Sequence, residues 1–360
     1  MGTSVRTQRA RRVHDLVGTE PRLGYGPASM DTVDGRGRKS KPQPRVLIVG
    51  AGAVGQVYGF FLQRGGAIVD VLARPRQKEE LAEGAILYKM KGKRGREPMV
   101  FQPSIVHTDP RTTTEVQYDQ VWLCVSSTAL EKGLDGGGLD VVLEHAGSAT
   151  VVVLQNGLHI PAMLAPHVAE RQVVSGGIMM VSYQAPLIEG EVDQPGVAFY
   201  IPGPQPFTGR DAKRVVQLLE AGDCRAEEVD DARTTMAFSS ATLMPTITAL
   251  EGAGWEFSKL RHGPWAKLAS AAATEARDVV AAETGKSAPA ALNLVVSPTL
   301  KVVSMLAPIF APFEVEIYLK YHFTKVHDQT VLLIDDYIAR AERLGTANEA
   351  LTTLRTKVFG

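Results

Sequence analysis

A doubly wound α/β domain followed by an all-helical domain is what this sequence predicts, and three observations carry the prediction. The first is Arg45-Val-Leu-Ile-Val-Gly-Ala-Gly-Ala-Val-Gly55, a short apolar strand running directly into Gly50-x-Gly52-x-x-Gly55. The second is a series of continuous apolar runs, residues 120–125 and 150–154 among them, as expected for central strands covered on both faces. The third is the change near residue 211, after which helical periodicity continues to the C-terminus.

The first element is the most informative. Residues 46–49 are apolar and mostly β-branched, and Val54, Val57, Tyr58 and Phe61 then recur at helical spacing. Between them Gly50 serves a turn too tight for a side chain. Gly52 leaves the backbone open to a diphosphate, and Gly55 lets the helix start pack close to the strand. The helix N-terminus adds unpaired N–H groups and a positive dipole end. Gly50, Gly52, Ala53, Val54 and Gly55 are therefore the expected nucleotide-binding backbone of a Rossmann-type domain. The alternative, a glycine-rich turn without a ligand, accounts for neither flank.

The second strand, residues 67–73, follows Gly65-Gly66 and ends at Arg74, with Arg76 two positions on. An Asp or Glu at this strand end holds the ribose 2′-hydroxyl of NAD or FAD, whereas a cation suits a 2′-phosphate. Asp70 stands about four residues too early for that role and is expected to cap or pair locally. The reading is NADP(H), with Arg74 on the phosphate; the alternative for Arg74 is a solvated loop arginine. Residues 89–96 form a cationic stretch expected as a solvated hairpin, and residues 173–181 and 197–201 read as further strands. The boundary falls near residues 228–232, giving a nucleotide-binding domain over 45–230 and a helical substrate and dimerisation domain over 231–360.

Composition narrows the class. Lys and Arg number 39 and so do Asp and Glu, so no excess charge points to nucleic acid. Cys124 and Cys224 are the two cysteines, far apart, which suits a reducing compartment and no metal site. No apolar run reaches the ~18 residues of a membrane helix. The long apolar stretch 288–313 is interrupted by Asn293, Lys301 and four prolines, so packed helices are expected there. A cytoplasmic homodimer acting on a small molecule, with no membrane partner, is the resulting expectation. Residues 1–44, rich in Arg, Gly and Ser without hydrophobic periodicity, read as a disordered basic extension. The alternatives are an organelle presequence, an anion-binding arm, or a true start at Met30.

The opening 45–55, the Arg74 position and Leu154-Gln155-Asn156-Gly157 after a buried strand together resemble the ketopantoate reductase family. The resemblance covers about residues 45–355 and implies an NADPH-dependent enzyme of a Rossmann domain plus a helical domain like that of 6-phosphogluconate dehydrogenase. It implies that Asn156 lies in the cleft beside the nicotinamide. It also locates departures. The family's catalytic Lys falls on Met236, its following Asn on Ser240 and a second Asn on Met244, before Pro245. The family's glutamate before the closing helix glycine falls on Gln329. The lysine that holds cofactor phosphate is replaced in Ser126-Ser127-Thr128, leaving Ser126 as the cofactor contact. A methionine donates no proton to a nascent alkoxide, so simple ketopantoate reduction is not the expected reaction.

A replacement is expected in residues 313–330. Read as one helix, Glu314, Tyr318, His322, Lys325 and Gln329 are spaced four, four, three and four apart and share a face. With Gln329 in the family's substrate-facing place, Lys325 and His322 become candidate acids, and Ser240, Tyr318 and Gln329 candidate substrate contacts. The plainer alternative is a solvated helix face. His159 could reach substrate or merely start a helix, while Trp255, Trp265 and Met179, Met180, Met236 and Met244 read as packing. Two classes of function stay open: an NADPH-dependent reductase of a C=O or C=N bond with altered chemistry, and a catalytically silent NADP(H)-binding sensor or partner-binding protein.

Overall fold

The computed structural model describes residues 42–360 except 94, 156 and 294–296. The expectations for residues 1–41 and for Asn156 lie outside these. The chain enters at β1 (Arg45–Val49) and, after Gly52, turns into α1 (Ala53–Arg64), then β2 (Ile68–Leu72) and α2 (Lys78–Glu83). A hairpin, β3 (Ala85–Lys91) and β4 (Gly95–Phe101), precedes the short β5 (Val106–His107). Next come β6 (Gln120–Leu123), α3 (Ser127–Leu134), α4 (Leu139–Glu144), β7 (Thr150–Val153), α5 (Ile160–Leu164) and β8 (Val173–Gly176). Four more strands, β9 (Val181–Ala185), β10 (Gly196–Tyr200), β11 (Gln205–Thr208) and β12 (Ala226–Glu228), flank α6 (Ala212–Ala221).

Eight strands make one sheet in the order β12-β11-β8-β7-β6-β1-β2-β5, with only the β11–β8 pairing antiparallel. Val46, Leu47, Ile48 and Val49 are all buried, as are the residues of β6 and β7, because helices cover both faces. Three expectations are corrected. Residues 173–181 are not one strand: the chain leaves the main sheet after Gly176 and re-enters as β9 in a second sheet, β4-β3-β10-β9. The strand expected at 197–201 also belongs there, as β10. The cationic stretch 89–96 is the tip of the β3–β4 hairpin, and Arg96 is not solvated. Its side chain is 9% exposed and pairs with Glu191 at 3.2 Å. Nor is the chain purely helical after residue 211, since β12 extends the main sheet beside β11.

From residue 232 onward the chain is helical: α7 (Ala232–Gly252), α8 (Phe257–His262), α9 (Trp265–Thr284), α10 (Ala290–Asn293), α11 (Ser297–Phe310), α12 (Val315–Lys325), α13 (His327–Leu344) and α14 (Glu349–Phe359). Asp231 caps α7 through Thr234 N–H at 2.9 Å and also pairs with Lys286 beyond α9. Trp265 lies against Gly252, so α9 runs antiparallel to α7. α13 is antiparallel to α7 as well: His327 Nδ1 sits 3.2 Å from Glu251, and Tyr337 hydrogen-bonds Ser240. Trp255 and Trp265 pack against this helical core, as expected, with Leu158 reaching it from the sheet side. Among the described residues no single helix is long and apolar enough to cross a membrane; one pair, bent by 106° between 298–310 and 315–325, passes on length and composition only.

Asp70 pairs locally, as its position suggested. It is fully buried on β2, accepts from Arg45 Nε at 2.9 Å and from the Tyr118 hydroxyl at 3.1 Å. Removing one partner of such a pair leaves the other's desolvation uncompensated. Asp70→Ala should lower the unfolding free energy by about 3 kcal/mol, measured in urea, while the affinity of the folded protein for NADPH stays within about twofold.

Candidate functional site

The three turn glycines are required for different reasons. Gly50 has φ +102°, and a Cβ there would stand 2.8 Å from the Cys124 carbonyl oxygen. A Cβ on Gly55 would stand 2.0 Å from the Gly50 carbonyl oxygen. Both are dictated by protein packing. Gly52 is not: its φ is −71° and a Cβ on it would meet nothing within 4 Å. That space lies at the N-cap of α1, where no side chain caps the helix and no acidic residue occupies the first turn. Gln56 and Gln77 each donate to the Ala51 carbonyl, at 3.0 and 2.9 Å, and hold the turn open. Unpaired N–H groups, a dipole end and an unfilled space fit the diphosphate of a dinucleotide.

The loops after the neighbouring strands complete this side. Ser126 caps α3, its Oγ accepting from Ala129 N–H at 3.2 Å and lying 3.1 Å from Thr128 Oγ1. Gln155, whose neighbour Asn156 is outside the described residues, contributes something the sequence reading missed. Its amide nitrogen donates to the Leu123 and Val125 carbonyls at 3.0 and 2.6 Å, tying the end of β7 to the end of β6. Its oxygen is buried with no partner among the described residues. Gly157 is filled by the His159 ring, which gives that histidine a packing role. Arg74 is exposed just beyond β2; its carbonyl accepts from Gln77 N–H at 2.9 Å and its side chain makes no hydrogen bond or ion pair with another described residue, whereas Asp70 Oδ2 is held by Arg45 and Tyr118.

The facing wall comes from α7. Met236 packs on Gly177, just past the end of β8, so the carboxyl ends of the parallel strands face this helix. Ser240, half-buried one turn further, is hydrogen-bonded to Tyr337 of α13. Burial pushes the Tyr337 phenol up to about 12, with the Ser240 bond opposing that shift, so the pair keeps its protons throughout the neutral range. Met236 and Met244 are buried, and Met180 is too, but Met179 is 42% exposed and is not core packing.

The expected polar stripe does not survive as one surface. The helix breaks at Val326, between α12 and α13. Lys325 falls at the end of α12, with His322 a turn before it, and Asp328 in the first turn of α13; the Lys325 and Asp328 charges are those that each helix end favours. Tyr318 is buried against Tyr183 and Phe313, at ring distances of 5.5 and 5.2 Å, facing the second sheet. His322 packs on Tyr318 and Phe323; burial, with Lys325 adding to it, lowers its pKa to about 4. Lys325 is exposed at the helix end. Gln329 lies near the Glu251 end of α7, eight residues and ~12 Å along α13 from Tyr337. Tyr337, not Gln329, is therefore the α13 side chain that meets Ser240. A separate groove of about 270 Å³ lies between the second sheet and Phe313, around Arg96, Tyr183 and Glu191.

Burial raises the pKa of both thiols, Cys224 to about 12, and among the described residues no group of three or more His, Cys, Asp or Glu is placed to hold a metal ion.

These features define a Rossmann-like α/β domain whose strand ends face a helical domain. Residues 46–197 match the family profile described as ketopantoate reductase PanE/ApbA. Among solved structures it is similar to a PanE/ApbA family ketopantoate reductase from Ralstonia eutropha JMP134, at 21% identity over 88% of this chain and 97% of that one, TM-score 0.63. It is also similar to 2-dehydropantoate 2-reductase from Porphyromonas gingivalis W83, at 15% identity over 89% and 100%, TM-score 0.63. A third is D-mandelate dehydrogenase, solved with NADH and anilino(oxo)acetate, at 16% identity over 88% and 97%, TM-score 0.65. No curated protein sequence matches this chain.

The glycines give a discriminating test. Gly55→Ala should destabilise the fold by about 3 kcal/mol. Gly52→Ala should cost about 1 kcal/mol or less, in line with other N-cap substitutions, yet weaken dinucleotide binding at least tenfold, which is ~1.4 kcal/mol. Thermal unfolding and a nucleotide fluorescence titration of both variants measure the two effects.

Proposed function

We propose that this chain is an NADP(H)-dependent oxidoreductase that reduces a C=O or C=N bond of a small to medium-sized substrate, by chemistry altered from that of ketopantoate reductases. The observation that carries this reading is Gly52, a glycine with no steric neighbour among the described residues at an uncapped helix start. Exposed Arg74 and the commitment of Asp70 to Arg45 and Tyr118 support NADP(H) over NAD(H). When bound, the dinucleotide supplies the hydride. Asn156, preceded by Gln155 at the end of β7, is assigned to the substrate or the nicotinamide-side ribose. Gln155 keeps that strand end in place.

Proton delivery is assigned to the Ser240 hydroxyl, with Tyr337 behind it, because Met236 occupies the place of the family's acid. Lys325 and His322 receive no such role: one is exposed, and the other is neutral near pH 7. Met236 and Met244 make a wall more apolar than a small keto acid needs, which supports a larger or less charged substrate. One observation favours the second reading, a silent NADP(H)-binding protein: the acid's place is filled by a buried thioether.

Two measurements test the proposal. Arg74→Ala should weaken NADPH binding at least tenfold, the loss of one charge-assisted contact worth about 1.5–3 kcal/mol, and leave NADH binding nearly unchanged; equal losses for both would remove the NADP(H) assignment. On whichever ketone, keto acid or imine supports NADPH oxidation, Ser240→Ala should lower kcat by about a hundredfold, within the usual range of acid catalysis. Tyr337→Phe should cost roughly tenfold, and Lys325→Met should have no effect. If no member of such a panel is reduced although NADPH binds, the silent reading replaces this one.

A further inference from the structure

The groove between the second sheet and the helical domain shares no residue with the dinucleotide turn or with α7. Its volume is about 270 Å³, a little below the range for drug-sized ligands. Three segments build it: the tip of the β3–β4 hairpin, the loop between β9 and β10, and Phe313-Glu314 at the entry to α12. Glu191, with a side chain only 5% exposed, holds the floor. One oxygen of its carboxylate accepts from the Tyr183 hydroxyl at 2.5 Å and from Arg96 at 3.2 Å, and the other from Leu187 N–H at 2.7 Å. Arg96 also donates to the Gly95 carbonyl at 3.1 Å. A floor joined in this way is already in place when a ligand arrives. One donor is left over. Arg96 Nε–H is buried and has no acceptor among the described residues, although buried donors are nearly always paired.

The rim carries charges that the protein leaves unmatched. Lys93, Glu189 and Glu314 are exposed there, and none of their side chains is paired with another described residue except through the groove they share. Between them the walls are apolar: Leu187, Ile188 and the Phe313 ring, which lies edge-on to Tyr183 at 6.5 Å. We propose that this groove binds a free apolar α-amino acid, its carboxylate toward Lys93 and the open Arg96 donor, its ammonium group toward Glu189 and Glu314. Charges of both signs in one small groove complement a ligand that carries both. A phosphorylated ligand fits less well, because two unmatched carboxylates oppose it. A simple amine leaves Lys93 and the Arg96 donor without partners. The apolar walls set the remaining requirement, a side chain of the size of leucine or phenylalanine. Hairpin and loop belong to the first domain and Phe313 and Glu314 to the second, so the occupant bridges the two and stabilises the arrangement in which they meet.

Isothermal titration of the full-length protein with L-leucine and with L-phenylalanine should give a dissociation constant of about 1 mM or tighter for at least one of them. The melting temperature should rise with its concentration. Lys93→Gln, and separately Glu189→Gln combined with Glu314→Gln, should each weaken that binding by about tenfold or more. These side chains are exposed, so circular dichroism and NADPH affinity should match the wild type. Analogues of the bound amino acid without its ammonium group (4-methylpentanoate or 3-phenylpropanoate) or without its carboxylate (3-methylbutan-1-amine or 2-phenylethylamine) should bind at least about tenfold more weakly. Absence of heat and of a thermal shift with both amino acids, undiminished affinity in the substituted proteins, or an analogue that binds as tightly as its parent would each overturn the proposal.

Discussion

The contact on which the architecture rests is the one between the Gly50 carbonyl and the α-carbon of Gly55. No atom larger than hydrogen fits there, since a Cβ would come within 2.0 Å of the oxygen. This closeness draws the start of α1 down onto the end of β1. It also directs the first N–H groups of the helix across Gly52 into the space that the protein leaves unfilled. Every neighbouring loop is arranged around that turn. Gln56 and Gln77 brace Ala51, the Cys124 carbonyl backs Gly50, and Gln155 ties the next two strand ends together. Three glutamine side chains and one backbone carbonyl thus serve a backbone turn that carries no polar side chain of its own.

The family profile that the first domain matches accounts for the frame, and the departures from it mark the seam between the two halves. A lysine on α7 would have had to reach out over Gly177. Met236 instead lies against that glycine and the nearby Pro206, so the seam is closed by a thioether where a cation would have kept it wet. Ser240 and Tyr337 form a hydrogen-bonded pair on this part of α7, joining two helices that run in opposite directions. Its position comes from the antiparallel packing of α7 and α13, which is fixed at the other end by His327 and Glu251.

Where local chemistry decides a feature, the sequence was readable. Val46 to Val49, Gly50, Gly52 and Gly55, the pairing of Asp70 and the placement of the tryptophans all follow from residue type and spacing. Where partners distant in sequence decide it, the sequence was silent or misleading. β12 is Ala-Glu-Glu, with no strand propensity, and exists because β11 offers it a parallel edge. β9 and β10 carry the apolar pattern of central strands, but they pair with each other and with a hairpin a hundred residues earlier. The spacing of Tyr318, His322, Lys325 and Gln329 is helical, yet the same charges that suggested a functional face are those that suit a helix end followed by a helix start. Spacing alone cannot tell one long helix from two.

The direction of β1 has a practical consequence. Arg45, held by Asp70, stands at the end of the strand opposite Gly50, and five residues at ~3.3 Å each set the two about 17 Å apart. The chain therefore enters the sheet from its floor, at the end away from the turn and from α7. An affinity tag, a fluorescent fusion or a tether to a surface attached at that end would leave the mouth of the cleft unobstructed.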